Sequence, residues 1–328
     1  MYKMNKLDKI NRKLLIILNK NARLSHNQLG KLAGVSRDRA RYRIQQMEKE
    51  GIITGYITHV QNRLFGVENY WLSIKLQNLP ESSEKSISEK LREVREIKFL
   101  LSCQGEYDFV ILCGAKNKIH LCQIFDKISA ICGKSLREIN LDIYVKTLKF
   151  ESYGFLLPEF SYAMDESKKY TGEKPDRYDI KIIRELLKNA KSPIIDIAEK
   201  SGLTAETVSK RIKHLRKTKA ITNIIASIDY SKIGYERYLL YIKLHSYSYK
   251  AEKKFREVIN NIDKAVHAER VLGAWDIKCM IISENYEEFL KVLKIIKSHL
   301  ERSLLRYDVL LITKEVKREP YLGKASED

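Results

Sequence analysis

The sequence predicts an α+β fold made of two tandem copies of one unit: a winged helix-turn-helix followed by a ferredoxin-like βαββαβ domain. Three observations carry this reading. A shift of 168 positions brings two long stretches into register without a gap. Each copy opens on three short helical patterns with a glycine turn between the second and third. Each copy then passes into alternating strands and helices. Under the shift, Asp8 falls on Asp176, Asn21-Ala22 on Asn189-Ala190, Gly34 on Gly202 and Arg43-Ile44 on Arg211-Ile212. Further along, Ile74-Lys75-Leu76 falls on Ile242-Lys243-Leu244, and Gly105 and Asp108 fall on Gly273 and Asp276. One offset holding through helical and strand-rich parts alike is the mark of a tandem duplication.

The expected domains are a first winged helix-turn-helix at 1–60 and a first ferredoxin-like domain at 64–152. A linker at 153–173 follows, then a second winged helix-turn-helix at 174–230, a second ferredoxin-like domain at 232–318 and a tail at 319–328. The linker reading rests on a polar stretch with Pro158 and Pro175 at its ends and Gly172 inside. From Lys317 onward the chain reads as a loose end.

In the first module, Leu7, Ile10, Leu14, Leu15, Ile17 and Leu18 form a broad apolar stripe at helical spacing. Ser25 and Gln28 make a capping box for a second helix, which stops at Gly34. Ser36 caps a third helix over 37–50. The second copy repeats the plan, with Ser192 as a cap, Pro193 at the first helical position, a turn at Gly202 and a cap at Thr204. A short helix, a glycine turn and a second helix are the signature of a motif whose last helix enters the DNA major groove.

On the third helix, Ala40, Ile44 and Met47 form the buried stripe, and Val208, Ile212 and Leu215 do so in the second copy. The opposite face presents Asp38, Tyr42, Gln45 and Lys49, flanked by Arg37, Arg39 and Arg41. With the Ser36 cap, these are the DNA-binding candidates of the first copy. In the second copy the candidates are Thr204, Thr207, Ser209, Lys210, Lys213 and Lys217, with Glu206 among them on the exposed face. An ordinary solvated helix face is the alternative, and repetition of caps, turn and strand in both copies weighs against it. Arg43 and Arg211 sit at the edge of the buried stripe and read as structural or phosphate-clamping.

In the second module, strands are expected at 70–76, 97–103, 107–113 and 139–148, with helices at 84–94 and 118–132. The order is that of a ferredoxin-like sandwich with one open sheet face. Such a face buries itself against another copy, so an intrachain pseudo-dimer, pairing between chains, or both are expected.

Lys and Arg number 61 against 42 Asp and Glu, a formal net charge of +19, which favours polyanionic partners. No apolar run approaches the ~18–20 residues of a membrane span, and the first residues lack a secretory pattern, so a cytoplasmic protein with no membrane partner is expected. The five cysteines show no metal-ligand spacing. Cys103, Cys113, Cys122 and Cys132 align with Val271, Ile281, Leu290 and Leu300, so they read as small core hydrophobes. None of the seven histidines recurs between copies. No metal, cofactor or catalytic residue is indicated.

These residues resemble the leucine-responsive regulatory protein/AsnC (Lrp/AsnC, feast/famine) family of transcription regulators, here as a tandem fusion. The likeness spans about 5–150 and 174–316. It is carried by Gly34-Val35-Ser36, Arg43-Ile44, Glu48-Lys49-Glu50-Gly51-Ile52-Ile53 and Gly105-x-x-Asp108. In the second copy it is carried by Gly202-Leu203-Thr204, Arg211-Ile212, Asp229 to Gly234 and Gly273-x-x-Asp276. Lys219-Ala220 departs from the family pattern, which has Gly there. The resemblance implies double-stranded DNA as partner and RAM-type ferredoxin-like domains that dimerise through their sheets. It also implies a small effector such as an amino acid near the hairpins, marking Gly105, Asp108, Gly273 and Asp276, and a homo-oligomer or pseudo-dimer. A plain structural role for these hairpin residues stands beside that implication. A second branch on the same architecture resembles the siroheme decarboxylases of haem biosynthesis. Such an enzyme calls for His and Arg beside the hairpin, which 100–108 lacks, although the second copy has His267, Glu269 and Arg270. A third reading is a sensing or interaction protein whose helix-turn-helix modules no longer touch DNA.

Overall fold

A computed structural model describes residues 7–77, 79–150, 153–160 and 174–323. The first copy runs α1 (Lys9–Lys20), α2 (His26–Ala33), α3 (Arg37–Lys49), β1 (Ile53–Val60), β2 (Glu68–Leu76), α4 (Glu81–Arg92), β3 (Ile97–Gln104), β4 (Phe109–Ala115), α5 (Lys118–Cys132) and β5 (Leu136–Lys149). The second runs α6 (Arg177–Lys188), α7 (Ile194–Ser201), α8 (Ala205–Lys217), β6 (Ile221–Ile228), β7 (Glu236–Leu244), α9 (Tyr249–Asn260), β8 (Ala265–Gly273), β9 (Ile277–Ser283), α10 (Tyr286–Leu300) and β10 (Leu304–Arg318). Two compact units result. One gathers residues up to 64 and 152–235, the other 65–151 and 236 onward. The duplication is thus sorted in space by module, heads with heads and sandwiches with sandwiches.

In the head unit, the expected caps and stripes form. Asp8 caps α1 through the Asn11 amide, Ser25 and Gln28 make the capping box of α2, and Ser36 and Thr204 cap α3 and α8. Ser192 does not cap α7. It is buried, Pro193 holds the N-cap position, and the helix begins at Ile194 without a side-chain cap. Ala40, Ile44 and Met47, and Val208, Ile212 and Leu215, are all buried. The two wings pair: β1 and β6 form an antiparallel two-stranded sheet, with Tyr56 opposite Ala226 and Thr58 opposite Ile224. Exchange continues beyond the wing, since the Thr58 hydroxyl donates to the Leu186 carbonyl and the Ala22 amide to the Ile224 carbonyl. Each wing strand thus finds its hydrogen-bonding partner in the other copy.

The segment expected as a linker contributes to this unit. Tyr153, Phe155, Leu156 and Leu157 are buried, Arg12 donates to the Leu156 carbonyl, and Phe155 packs edge-on against Tyr235. Residues 161–173 lie outside the described set.

In the sandwich unit, each copy forms the ferredoxin-like order β5-β2-β4-β3 or β10-β7-β9-β8, and the two sheets join into one closed barrel. Closure comes from β5 pairing with β8 and β10 with β3, both antiparallel. The last strand of each copy therefore occupies the free edge of the other, and no edge remains for a foreign strand. Helices cover the outside of each sheet over apolar cores that include Ile74, Phe109 and Ile128 in one copy and Ile242, Phe255 and Phe289 in the other. The ammonium of Lys149 donates to the Ile259 and Ile262 carbonyls at the end of α9, and Lys317 donates to the Arg92 and Val94 carbonyls at the end of α4. A lysine caps the partner copy's helix C-terminus in both directions, where the helix dipole favours a cation.

The chain end expected to be loose is strand through Arg318, and Tyr321 and Leu322 are buried. Residues 324–328 lie outside the described set. Four cysteines are buried and Cys122 is exposed, so that one is not a core residue. Its counterpart Leu290 is exposed as well. Among the described residues, no helix is long and apolar enough to cross a membrane.

Two positions show where the copies have diverged at a backbone cost. Gly51 ends α3 at φ +71, and its counterpart Lys219 keeps φ at 68 with a side chain. Gly133 at φ 54 likewise becomes Glu301 at φ 42. A side chain in this region costs about 1–2 kcal/mol, part of which glycine returns through the entropy of its unfolded state. Lys219→Gly and Glu301→Gly are each expected to raise stability by about 0.5–1 kcal/mol, read as a higher thermal midpoint. The reverse change Gly51→Lys is expected to lower it.

Candidate nucleic-acid interface and effector hairpins

The third helix of the first head is held by its neighbours, not by its own composition. Arg43 reaches from α3 to the start of α1, where its guanidinium meets Asp8 Oδ2 at 2.5 Å and Asn11 Oδ1 at 3.0 Å. Arg211 repeats this on the second head, meeting Asp176 at 2.9 Å and Asp179 at 2.8 Å. Asp8 and Asp176 are held below the usual carboxylate range: partial burial opposes the shift, but the backbone amides they cap and these arginines outweigh it. The recurring arginine is therefore a clamp between helices, which leaves the rest of the helix face free.

That face is exposed in the first head: Arg37, Asp38, Arg39, Arg41, Tyr42, Gln45 and Lys49 all stand in solvent, Tyr42 at 62% exposure. A tyrosine so exposed has an unused aromatic face and hydroxyl, which suits contact with sugar or base edge. The Ser36 hydroxyl is engaged in accepting from the Arg39 amide. Beside this face, an open cleft of about 470 Å³ is lined by Ser25, His26, Asn27 and Arg37. His26 lies below its ordinary range because of partial burial and the nearby cations Lys191, Arg41 and Arg37. Lys191 comes from the other head and stacks over the Tyr56 ring at 4.0 Å.

In the second head, Lys210, Lys213 and Lys217 are exposed, as is the Thr204 cap, while Thr207 and Ser209 are half-buried. Thr204 is occupied by the Thr207 amide and hydroxyl. Lys210 pairs with Glu206 at 2.7 Å on the open surface. Part of the positive charge of this helix is thus neutralised locally.

The hairpins place Gly105 and Gly273 against the last strand of the opposite copy. A Cβ on Gly105 would lie 2.9 Å from the Val309 carbonyl, and one on Gly273 2.5 Å from the Leu141 carbonyl. Asp108 accepts from the Leu76 amide and Asp276 from the Leu244 amide, tying each hairpin to the end of its first strand. Both acids therefore have a structural task.

Near the second hairpin, His267, Glu269 and Arg270 were visible in the sequence, but their partners and a nearby buried ion pair were not. Asp142 and Lys278 form an ion pair at 3.0 Å in the barrel interior, with side chains 0% and 2% exposed. The Trp71 indole donates to Glu269 at 2.6 Å, and Glu269 also meets His267. Arg270 stacks 3.3 Å from the Tyr247 ring centroid and donates to Asp276. Burial holds Lys278 below its ordinary range, against the opposing pull of Asp142. Among the described residues no group of metal-ligating side chains gathers.

A family model described as winged helix-turn-helix DNA-binding matches residues 7–54 and 175–222, the two heads. The HTH-type transcriptional regulator Ptr1 of Methanocaldococcus jannaschii is 35% identical over 111 residues, covering 34% of this chain and 74% of that regulator. The HTH-type transcriptional regulator FL11 of Pyrococcus horikoshii is 31% identical over 127 residues, covering 38% of this chain and 80% of the relative. Such relatives correspond to one copy of the repeat. Over its full length the chain is similar in fold to the siroheme decarboxylase NirDL, with a TM-score of 0.62 and coverage of 97% and 96%. At 12% identity this likeness speaks to fold alone. Duplicated heads, crossed sandwiches and relatives at this identity place the chain in the Lrp/AsnC family of transcription regulators, as a tandem duplication.

Proposed function

We propose that the chain reads an asymmetric DNA site with two unlike heads, the first being the principal reader, and that a small molecule bound beside the hairpins tunes this reading. The observation that carries it is the exposed face of α3, where Arg37, Arg39, Arg41 and Lys49 surround Tyr42 and Gln45 while Arg43 is committed to the fold. Lysines and arginines free to meet phosphate supply affinity, and amide and guanidinium groups supply base reading. The second head adds Lys213 and Lys217, while its Lys210 is engaged by Glu206. Gly105, Asp108, Gly273 and Asp276 frame the effector sites, with the acids also serving the hairpins.

The enzyme reading finds His267, Glu269 and Arg270 close together, yet their polar atoms are turned on one another and on Asp276. We therefore take the chain as a non-enzymatic regulator, for which titration with an iron tetrapyrrole is expected to leave the absorbance spectrum of the added compound unchanged.

Site selection from random duplexes followed by footprinting tests the asymmetric reading. A non-palindromic consensus is expected, with stronger base preference under the first head. Recovery of perfect palindromes, protected equally on both halves by a single chain, would overturn it.

A further inference from the structure

The duplication supplies an internal comparison of the two hairpin sites, and they are not equivalent. In the second copy, Asp276, Glu252 and Lys243 surround the place where Arg270 and Tyr247 meet. The Arg270 guanidinium lies 3.1 Å from Asp276 Oδ1 and 2.9 Å from the Asp276 carbonyl. The Tyr247 ring lies beneath the guanidinium, and its hydroxyl donates to Glu252. Glu252 is further neutralised by Lys146 at 2.7 Å. The site is closed: the side chains of Asp276 and Glu252 are 8% and 5% exposed.

In the first copy the corresponding acids are Asp108 and Glu84, and the lysines are Lys75 and Lys314. The residues that fill the site are missing, since Ser102 stands where Arg270 would be and Leu79 where Tyr247 would be. Asp108 is 30% exposed with Lys75 only at 4.0 Å, and Glu84 is half-buried. Lys314 faces Ser102 across the β10–β3 ladder, as Lys146 faces Arg270 across β5–β8. Glu84 lies above the usual carboxylate range through burial and the neighbouring charges of Asp108 and Glu81. Asp108 therefore lacks the guanidinium that Asp276 holds in the second copy, and with Glu84 beside it forms a place for a cation.

We propose that the chain carries one open effector site, the first copy's, and that it takes an organic cation whose ammonium or guanidinium group occupies the position filled in the second copy by Arg270. The second copy is thereby permanently in the liganded arrangement, its own arginine serving as the occupant. The effector then acts by making the first copy resemble the second. This inference rests on the effector reading of the hairpins and adds to it the number of sites and the charge of the ligand.

Calorimetric titration of the full chain with L-arginine, L-lysine and agmatine, against L-leucine and L-glutamate, tests it. The expected result is about one cation bound per chain and no binding of leucine or glutamate. Glu84→Gln is expected to weaken binding about tenfold, through loss of a negative charge beside the cation. Ser102→Arg, which fills the first site as Arg270 fills the second, is expected to abolish binding with an unchanged thermal midpoint. Arg270→Ser is expected to open a second site and raise the stoichiometry to about two. Two sites in the unaltered chain, or binding indifferent to Ser102→Arg and Glu84→Gln, would overturn the proposal. Binding of leucine or glutamate alone, lost in Ser102→Arg, would overturn the cation assignment while leaving the effector reading intact. Absence of binding by every compound in both the unaltered chain and Arg270→Ser would overturn the effector reading itself.

Discussion

Replacing Lys278 by valine is expected to destabilise the sandwich unit by about 3–5 kcal/mol, the cost of leaving a buried carboxylate without its partner. Asp142 would remain in the barrel interior, where neither it nor Lys278 has contact with solvent beyond 2%. Oδ1 of Asp142 would keep the Trp275 amide as a donor at 3.1 Å, while Oδ2 would lose the ammonium. The duplicated barrel already contains an apolar version of this site at the position related to it by the repeat. Asp142 aligns with Leu310 and Lys278 with Val110, both buried in the same interior cluster. The double variant Asp142→Leu/Lys278→Val is therefore expected to recover most of the loss and to end within about 1–2 kcal/mol of the original chain, since apolar substitutes for a buried pair are often neutral. The Trp275 amide, left without its acceptor, accounts for a residual penalty of about 1 kcal/mol. Denaturant unfolding followed by tryptophan fluorescence measures this cleanly, because the chain has two tryptophans, Trp71 and Trp275, and both lie in the sandwich unit. Additive losses in the two single variants and the double would show that the pair does not act as a unit.

The same pair shows where sequence reasoning stopped. Helix caps and stripes were legible because their determinants are local: Ser25 finds Gln28, Ser36 finds the Arg39 amide, and Ala40, Ile44 and Met47 recur at helical spacing. The clamp by Arg43 was half legible, since its recurrence was visible but its partners Asp8 and Asn11 lie 35 and 32 positions away. Closure of the barrel was not, because edge pairing of β5 with β8 depends on two strands more than a hundred residues apart. Asp142 and Lys278 sit within strands whose polar residues read as solvent-facing. A signal existed nonetheless, in that each charge replaces an aliphatic residue of the other copy. Tyr153, Phe155 and Leu156 form an apolar run that the flanking prolines and glycine concealed, and they turned out to be packed into the head unit. The hairpins were marked by Gly105 and Gly273, but the contact of Arg270 with Asp276 was not. That requires knowing that the guanidinium folds back on Asp276 and does not point to solvent.

Arg39→Ala/Arg41→Ala is expected to lower affinity for a selected duplex by about 10²–10⁴-fold, at about 1–3 kcal/mol for each lost base-edge contact. Both side chains are exposed on α3, and at about 100° per residue they flank the face centred on Tyr42 and Gln45. If both meet phosphate instead, the loss is smaller and falls evenly across sequences. The slope of affinity against salt then drops by about 0.9 per lost contact, so the gel-shift salt series separates the two roles. Lys213→Ala/Lys217→Ala on α8 is expected to cost less, because the second helix carries the neutralised Lys210–Glu206 pair beside them. Arg43→Ala provides the contrasting case. Its guanidinium is spent on Asp8 and Asn11, so the variant is expected to lower the melting of the head unit while leaving the salt slope of the remaining folded protein near its original value. Equal losses for the α3 and α8 pairs would mean that both heads share the reading, and a salt slope unchanged in both would place the DNA on another surface. The order expected from the exposed faces is that the first head sets specificity, the second adds affinity, and the recurring arginine keeps each reading helix in place.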